Sequence, residues 1–145
     1  MGVEGAASAD GRPQQAGSFP VRLTDGILQV CLIRKREKDG WGIPKGVIDP
    51  GNTPESTAMI EAYEEAGIEG RLLGRVGTYR FEKWGTRLLV VVYVLHVLEE
   101  HDDWQEARIR ERQWMPFDLA ASVLENHPSR PLLDTALKLA AKHIV

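Results

Sequence analysis

The stretch EKDGWGIPKGVIDPGN, residues 37–52, packs four glycines and two prolines into 16 positions. Neither a helix interior nor a central strand tolerates that density, so the chain must cross it as a long ordered loop. Loops of this length inside a small domain usually carry function. The residues that follow do the opposite and start a helix: Thr53 suits the N-cap, Pro54 the first helical position, and Gly67 the position just past the end. These signals bound a helix over 54–66. Loop and helix are therefore one unit, and the rest of the chain has to support it.

That support reads as a sheet. SFPVRL and ILQVCLI, separated by Thr24-Asp25-Gly26, predict a β-hairpin. After the helix, GRLLGRVGTYRFE, the strongly apolar RLLVVVYVLHVLE and the shorter RERQWMP predict three strands, with a turn at Trp84-Gly85-Thr86 between the first two. PFDLAASVLENH predicts a short helix. PLLDTALKLAAKHIV predicts a second, with Leu133, Ala136, Leu137, Ala140 and Ile144 at helical spacing. The order β-β-loop-α-β-β-β-α-α implies an α/β fold, a mixed sheet covered by helices. Residues 1–16 hold few large apolar groups and are expected to form a flexible tail, leaving 17–145 as one domain.

Composition narrows the partners. No apolar run reaches the roughly 18 residues that cross a bilayer, which argues against a membrane span, and no basic flank followed by an apolar stretch marks export. A net charge of -3 gives no general drive toward a nucleic acid polymer. Cys31 lies alone in an apolar run, as a buried thiol does in a reduced compartment, so a cytoplasmic location is expected.

At 100° per residue, Ala58, Ala62 and Ala66 form one stripe of the helix, and Glu61, Glu64 and Glu65 fall on another within about a third of the circumference. Small alanines let a helix lie close to a sheet. The glutamates are either a solvated face or a cation site, since clustered like charges repel by a few tenths of a kcal/mol per pair until a cation reverses the sign. The preceding loop favours the site, because a glycine-rich turn can bring backbone N–H groups close to phosphate oxygens.

Taken whole, GVIDPGNTPESTAMIEAYEEAGI resembles the Nudix box, a glycine, five residues, a glutamate, seven residues, then Arg-Glu-apolar-x-Glu-Glu-x-Gly-apolar. Gly46, Glu61, Glu64, Glu65, Gly67 and Ile68 keep the frame. Asn52 stands where the family has glutamate, and Ile60 where it has arginine. The resemblance extends from about Gly17 to the end of the chain. WGIPKG before the box and HVLEEHDDW through RERQWMPFDLAASVLENH after it are similar to the branch containing diphosphoinositol polyphosphate phosphohydrolases and dinucleoside polyphosphate hydrolases. It implies a Nudix-type α/β/α sandwich and a magnesium-dependent hydrolase, with manganese as the substitute ion, that cuts a diphosphate linkage by attack of water on phosphorus.

By that resemblance Glu61, Glu64 and Glu65 hold metal, Glu61 and Glu64 are the catalytic pair, and Glu64 is either the base or a third ligand. Ile60 removes the guanidinium fork that orients a catalytic carboxylate in the family, and no apolar side chain replaces it. A slowed enzyme is expected, and a silent binding module of the same fold is the competing class.

The substrate is expected to be a small, phosphate-rich molecule bound by Lys45, Gly46, Arg34, Arg36, Arg87 and Arg110, with Lys35, Lys83, Arg80 and Arg112 behind them. Pro44-Lys45-Gly46 resembles the dinucleoside polyphosphate branch, while inositol-specific members have glycine where Lys45 stands; a diphosphoinositol polyphosphate is the second choice. Trp41, Tyr79, Trp84 and Trp104 are candidate stacking surfaces. Glu111, and His101 with Asp102 and Asp103, could add a carboxylate to the metal cluster. His96 reads as a satisfied core or edge histidine. The four histidines show no paired spacing, so a histidine-based metal site is not expected. The chain is expected to be a monomer or homodimer.

Overall fold

A computed structural model of the chain describes residues 11–144. The predicted hairpin is present as β1 (Gln15–Thr24) and β2 (Ile27–Lys35), paired antiparallel with Val21 opposite Val30. The remaining elements are β3 (Lys45–Val47), α1 (Pro54–Ala66), β4 (Ile68–Lys83), β5 (Thr86–Glu100), β6 (Arg110–Pro116), α2 (Phe117–Val123), a 3-10 turn (Arg130–Leu132) and α3 (Leu133–Ile144). Among the described residues no helix is long and apolar enough to cross a membrane.

The sheet runs β4-β5-β1-β2-β6, with β3 added to β1. The β1–β5 pair is parallel and the other ladders are antiparallel, which makes the sheet mixed. On one edge β1 pairs first with β3, through Gln15–Gly17, and then with β2, from Val21 onward. Pro20 lies in the gap between them. Ser18, two residues earlier and so facing the same edge, gives its N–H to Pro44 O of the loop. Pro20 has no N–H to give, and the gap asks for none, which is how a proline survives in a central strand.

Strand alternation sorts the core into two layers. Val90, Val92 and Val94 of β5 join Phe19, Leu32, Phe117, Leu133, Ala136 and Ala140 on the α2–α3 face. Val91, Tyr93 and Leu95 face α1, together with Ala58, Ala62 and Ala66. A strand buried on both faces reads as a continuous apolar run, as RLLVVVYVLHVLE does. All three helix alanines are fully buried, so α1 sits flush on the sheet.

Helix α1 ends where its sequence says it should. Thr53 Oγ1 accepts from Ser56 N–H, and Ser56 Oγ accepts from Thr53 N–H, a capping box worth about 1 kcal/mol. Gly67 closes the helix at φ 67°, a left-handed conformation that favours glycine.

Two expectations need correction. The ordered fold begins no later than Gln15, not at Gly17: Gln15 and Ala16 are buried in β1 and pair with both β3 and β5. Residues 1–10 of the expected tail lie outside the described residues. The loop also contains a strand, β3, because β1 offers it a ladder that local propensity cannot reveal.

Candidate active site

Helix α1, strand β3 and strand β6 bring the site together. Gly46 lies directly against the Glu61 carboxylate, and a Cβ at position 46 would overlap it. The glycine that opens the box thus makes room for the Glu61 side chain. The next carboxylate along the helix face, Glu65, is buried and held from two sides. Lys45 N–H donates to its Oε1 at 3.1 Å, and Arg110 Nη2 donates to its Oε2 at 3.3 Å.

Burial pushes the Glu65 carboxyl up to about 8, with Arg110 and the Lys45 N–H opposing the rise and Glu61 and Glu106 adding to it. Glu61 is also raised, first by burial and then by the charge on Glu64, while a hydrogen bond with Glu65 acts the other way. Two neighbouring carboxyls that resist ionisation are what a cation site looks like from the protein's side. The donors are all oxygen, which suits a hard divalent ion, and the space against Gly46 gives Glu61 a fixed seat. The residues fit the metal. Glu64 stands apart from this pair, half-buried where α1 borders a cavity with Met59, Ile60, Tyr63 and Glu69.

Glu106 was not visible as a site residue in the sequence. Its N–H donates to Glu64 O at 3.1 Å and its Oε1 accepts from Arg110 Nε at 2.6 Å, so it ties the β5–β6 connection to the acidic face. The Glu106–Arg110 spacing, i to i+4, was the only local sign of it. Glu111, favoured earlier, instead pairs with Arg34.

The C-terminal end of α1 is closed by the same strand. Arg112 Nη1 donates to Ala66 O at 2.7 Å, its guanidinium lies over the Trp104 ring at 4.1 Å, and Trp104 Nε1 donates to Glu65 O. A cation on the last carbonyls complements the helix dipole by about 0.3–1 kcal/mol. Arg112 and Trp104 are therefore fastened to the helix end, and neither is a free cation or a free stacking face.

A cavity of about 430 Å³ opens beside Glu65, lined by Arg34, Lys35, Lys38, Gly42, Lys45, Arg110 and His127 among others. Lys45 reaches Gln15 Oε1 at 3.1 Å and sits over the Phe81 ring at 4.3 Å; burial lowers its pKa, with Glu65 opposing. Of the expected phosphate-binding residues, Lys45, Arg34 and Arg110 share this cavity. Arg36 does not: its guanidinium bonds Ala107 O at 3.0 and 3.1 Å. Arg87 does not either, being exposed at the β4–β5 turn beside Glu82.

The other candidates divide similarly. Trp84 is 93% exposed at that same turn, and Tyr79 is buried in the core. Trp41 lines a neighbouring cleft of about 290 Å³ that shares Gly40 and His127 with the cationic cavity. His96 is not satisfied, since its buried Nδ1 has no hydrogen-bond partner. His101 Nε2 is hydrogen-bonded to Glu69 Oε2 at 2.7 Å and lies 3.8 Å from Glu99. That trio gathers three ligating atoms within 4.8 Å at the β4–β5 strand ends, a grouping that histidine spacing alone could not show. Asn52 Oδ1 accepts from Ser56 Oγ in the first turn of α1 at 3.4 Å, and its main-chain N–H donates to Asp49 O at 3.0 Å.

Comparison with known proteins agrees with this geometry. The family model described as the NUDIX domain matches residues 13–136. Over 102 residues the chain is 36% identical to human diphosphoinositol polyphosphate phosphohydrolase 2, covering 68% of this chain and 56% of that protein. Nudix hydrolase 4 of Arabidopsis thaliana is 29% identical over 115 residues, covering 78% and 56%. The chain thus spans a little over half the length of these relatives. The fold matches a crystal structure of a C. elegans Ap4A hydrolase binary complex with a TM-score of 0.68 at 21% identity, covering 90% of this chain and 99% of that one. The six-stranded mixed sheet between helical layers, the box over 46–68 and the matched length together place this chain in the Nudix hydrolase family.

Proposed function

We propose that the chain hydrolyses a diphosphate linkage in a small polyphosphate, using a magnesium ion held by Glu61 and Glu65, with Glu64 as the base. One observation carries the reading: a buried carboxyl, Glu65, is held by the Lys45 N–H and Arg110, with half-buried Glu61 beside it, and both of those partners line a cavity whose walls carry five cationic side chains, Arg34, Lys35, Lys38, Lys45 and Arg110, against one acidic one, Asp39. When bound, the ion supplies positive charge that polarises the phosphate and makes water a better nucleophile.

The chain's own residues do the rest. Lys45 and Arg34 bind non-bridging phosphate oxygens, Lys45 as a point charge and Arg34 as a fork oriented by Glu111. Arg110 holds Glu65 in place and so takes over the orienting work that Ile60 cannot do. Glu61 and Glu65 are engaged with each other, which leaves Glu64 to accept the proton of the attacking water. The substrate class favoured is a dinucleoside polyphosphate: Lys45 supports it, and Trp41 in the adjoining cleft offers an aromatic wall for a base.

The test is product analysis with a panel of dinucleoside polyphosphates and diphosphoinositol polyphosphates, with and without magnesium. Magnesium-dependent cleavage that falls at least 100-fold in Glu65→Gln is expected, because a lost ligand costs more than a lost partner of a ligand. No turnover of any compound by the wild type would leave a binding module in its place.

A further inference from the structure

His127 lies in the segment between α2 and the 3-10 turn, on the opposite side of the sheet from the glutamates, and nothing in the box points to it. Its surroundings fix the ring. Nδ1 accepts the main-chain N–H of Ser129 at 3.0 Å and lies 2.8 Å from Ser129 Oγ, and Ser129 is itself fully buried. A ring nitrogen that accepts a main-chain N–H carries no proton, so the neutral ring keeps its proton on Nε2. The ring is neutral at physiological pH: burial first, and the charge of Lys45 second, push its pKa down to about 4. Tyr79 meets it edge-on with centroids 5.9 Å apart, which holds its plane.

The free donor faces the cationic cavity. Nε2 lies 3.1 Å from where a Cβ would sit on Gly42, and Gly42 is pinned to β2 by two hydrogen bonds with Ile33, at 2.8 and 3.0 Å. A Cβ at position 42 would press on the imidazole and push it back by a few tenths of an ångström, so the glycine allows this close approach. The other polar walls are charged, Arg34 and Arg110 paired with carboxylates, Lys35, Lys38 and Lys45 beside them and Asp39 opposing, and net positive charge attracts an anion without selecting one oxygen. A neutral N–H of fixed position and tautomer is different in kind, because it rewards one oxygen in one place.

We propose that His127 is a substrate-contacting, specificity-determining residue whose Nε2–H donates to a non-bridging oxygen of the phosphate chain, on the wall of the cavity opposite Glu65. This rests on the reading of the cavity as a polyphosphate site. It also deepens that reading, since a donor fixed on the opposite wall favours chains long enough to span from the glutamates to the histidine. A compound with too few phosphates leaves Nε2–H unpaired.

The experiment uses the full chain and inorganic tripolyphosphate, pyrophosphate and phosphate as calorimetric probes. Glutamine places an amide N–H where Nε2 stands, and asparagine does not. His127→Asn is expected to weaken tripolyphosphate binding about tenfold, the size of one hydrogen bond to a charged group, and His127→Gln less than about threefold. Phosphate should show no difference between the variants. With a cleaved substrate, His127→Asn should raise KM and leave kcat unchanged.

On the wild type, the imidazole 15N signals should report the Nε2–H tautomer and shift on adding tripolyphosphate. Equal losses in both variants, or an unmoved imidazole signal, would overturn the assignment even if the substituted chains fold poorly. The two readings fail separately. An active hydrolase in which His127→Asn changes neither KM nor tripolyphosphate affinity keeps its activity and loses this residue. A chain inert toward every diphosphate, yet weaker for tripolyphosphate in His127→Asn, keeps the residue and loses the hydrolase.

Discussion

Helix α1 separates two cavities of similar size and opposite character. The flank toward the loop and β6 holds about 430 Å³ walled by lysine and arginine. The flank toward β4 and β5 holds about 480 Å³ lined by Met59, Ile60, Tyr63 and Leu95, with Glu64 and Glu69 at its border. Volume does not tell them apart. The difference lies in what the helix presents: buried Glu65, hydrogen-bonded to Lys45 N–H and Arg110, with half-buried Glu61 beside it on one side, and half-exposed apolar groups on the other. The arginine that the family carries at position 60 would stand on the apolar flank, whereas the guanidinium that grips a catalytic carboxyl in this chain comes from β6 on the cationic one. On the proposed reading, orientation of Glu65 is supplied from across the helix, by Arg110.

Removing Arg110 is the strongest way to break that comparison. Arg110→Ala leaves Glu65 without a cation and Glu106 without its partner, in a setting where both guanidinium contacts are mostly shielded from water. Partners that orient metal-ligating groups typically matter 10–100-fold, and a fall of that size in kcat is expected, with Arg110→Lys recovering little because a point charge cannot serve two carboxyls. Wild-type kcat in Arg110→Ala would mean that Glu65 is held by the Lys45 N–H alone.

A smaller effect sharpens the same contrast through pH. The folded-state pKa of Glu65 is raised, from an ordinary 4.5 to about 8. Its protonated form therefore stabilises the metal-free fold; that contribution is full below about 4.5 and is lost as pH rises through about 8. Denaturant unfolding of the metal-free chain should show stability dropping across this window by on the order of 1–3 kcal/mol, with Glu65→Gln flattening the drop and magnesium opposing it. A wild-type profile as flat as that of Glu65→Gln would place the carboxyl in ordinary solvent.

How much of this was written in the sequence depends on range. Helix α1 was legible to the residue, because Thr53, Pro54 and Gly67 act on their own neighbours. Strand β5 was legible too, as an apolar run, while the sorting of its side chains into two core layers came from the structure. Strand β3 was hidden, because three residues in a loop rich in glycine and proline become a strand only against β1. Gln15 and Ala16 were hidden for the same reason, their order being supplied by Lys45–Val47 and Val90–Val91. Within the site, Glu61 and Glu65 followed from helical spacing. Glu106 and His127 come from segments far along the chain and meet the loop or the helix only after folding. Arg36 and Arg87 failed to join the cavity for the complementary reason: charge in sequence does not say which way a side chain is drawn, and Ala107 O and Glu82 draw these two away.

The smallest expected effect is at the position that departs most from the family. Ile60 is 38% exposed and closes one wall of the apolar cavity, with Met59 and Tyr63 on the same side of α1. An arginine there would meet an apolar wall and two carboxylates at its rim, Glu64 and Glu69, while Glu65 remains with Arg110 on the other flank. If Arg110 already does the orienting, Ile60→Arg has little left to add, and kcat should stay within about threefold of wild type, any change coming through Glu64. A gain of tenfold or more would show that orientation by Arg110 is incomplete and that the native chain works below the capacity of its fold. An inert wild type rescued by Ile60→Arg would go further and make position 60 the single lesion that separates a binding module from a hydrolase. Pairing the substitution with Arg110→Ala in a double-mutant cycle separates these outcomes: two guanidinium groups that substitute for one another give a large coupling, and two that serve different carboxyls give none.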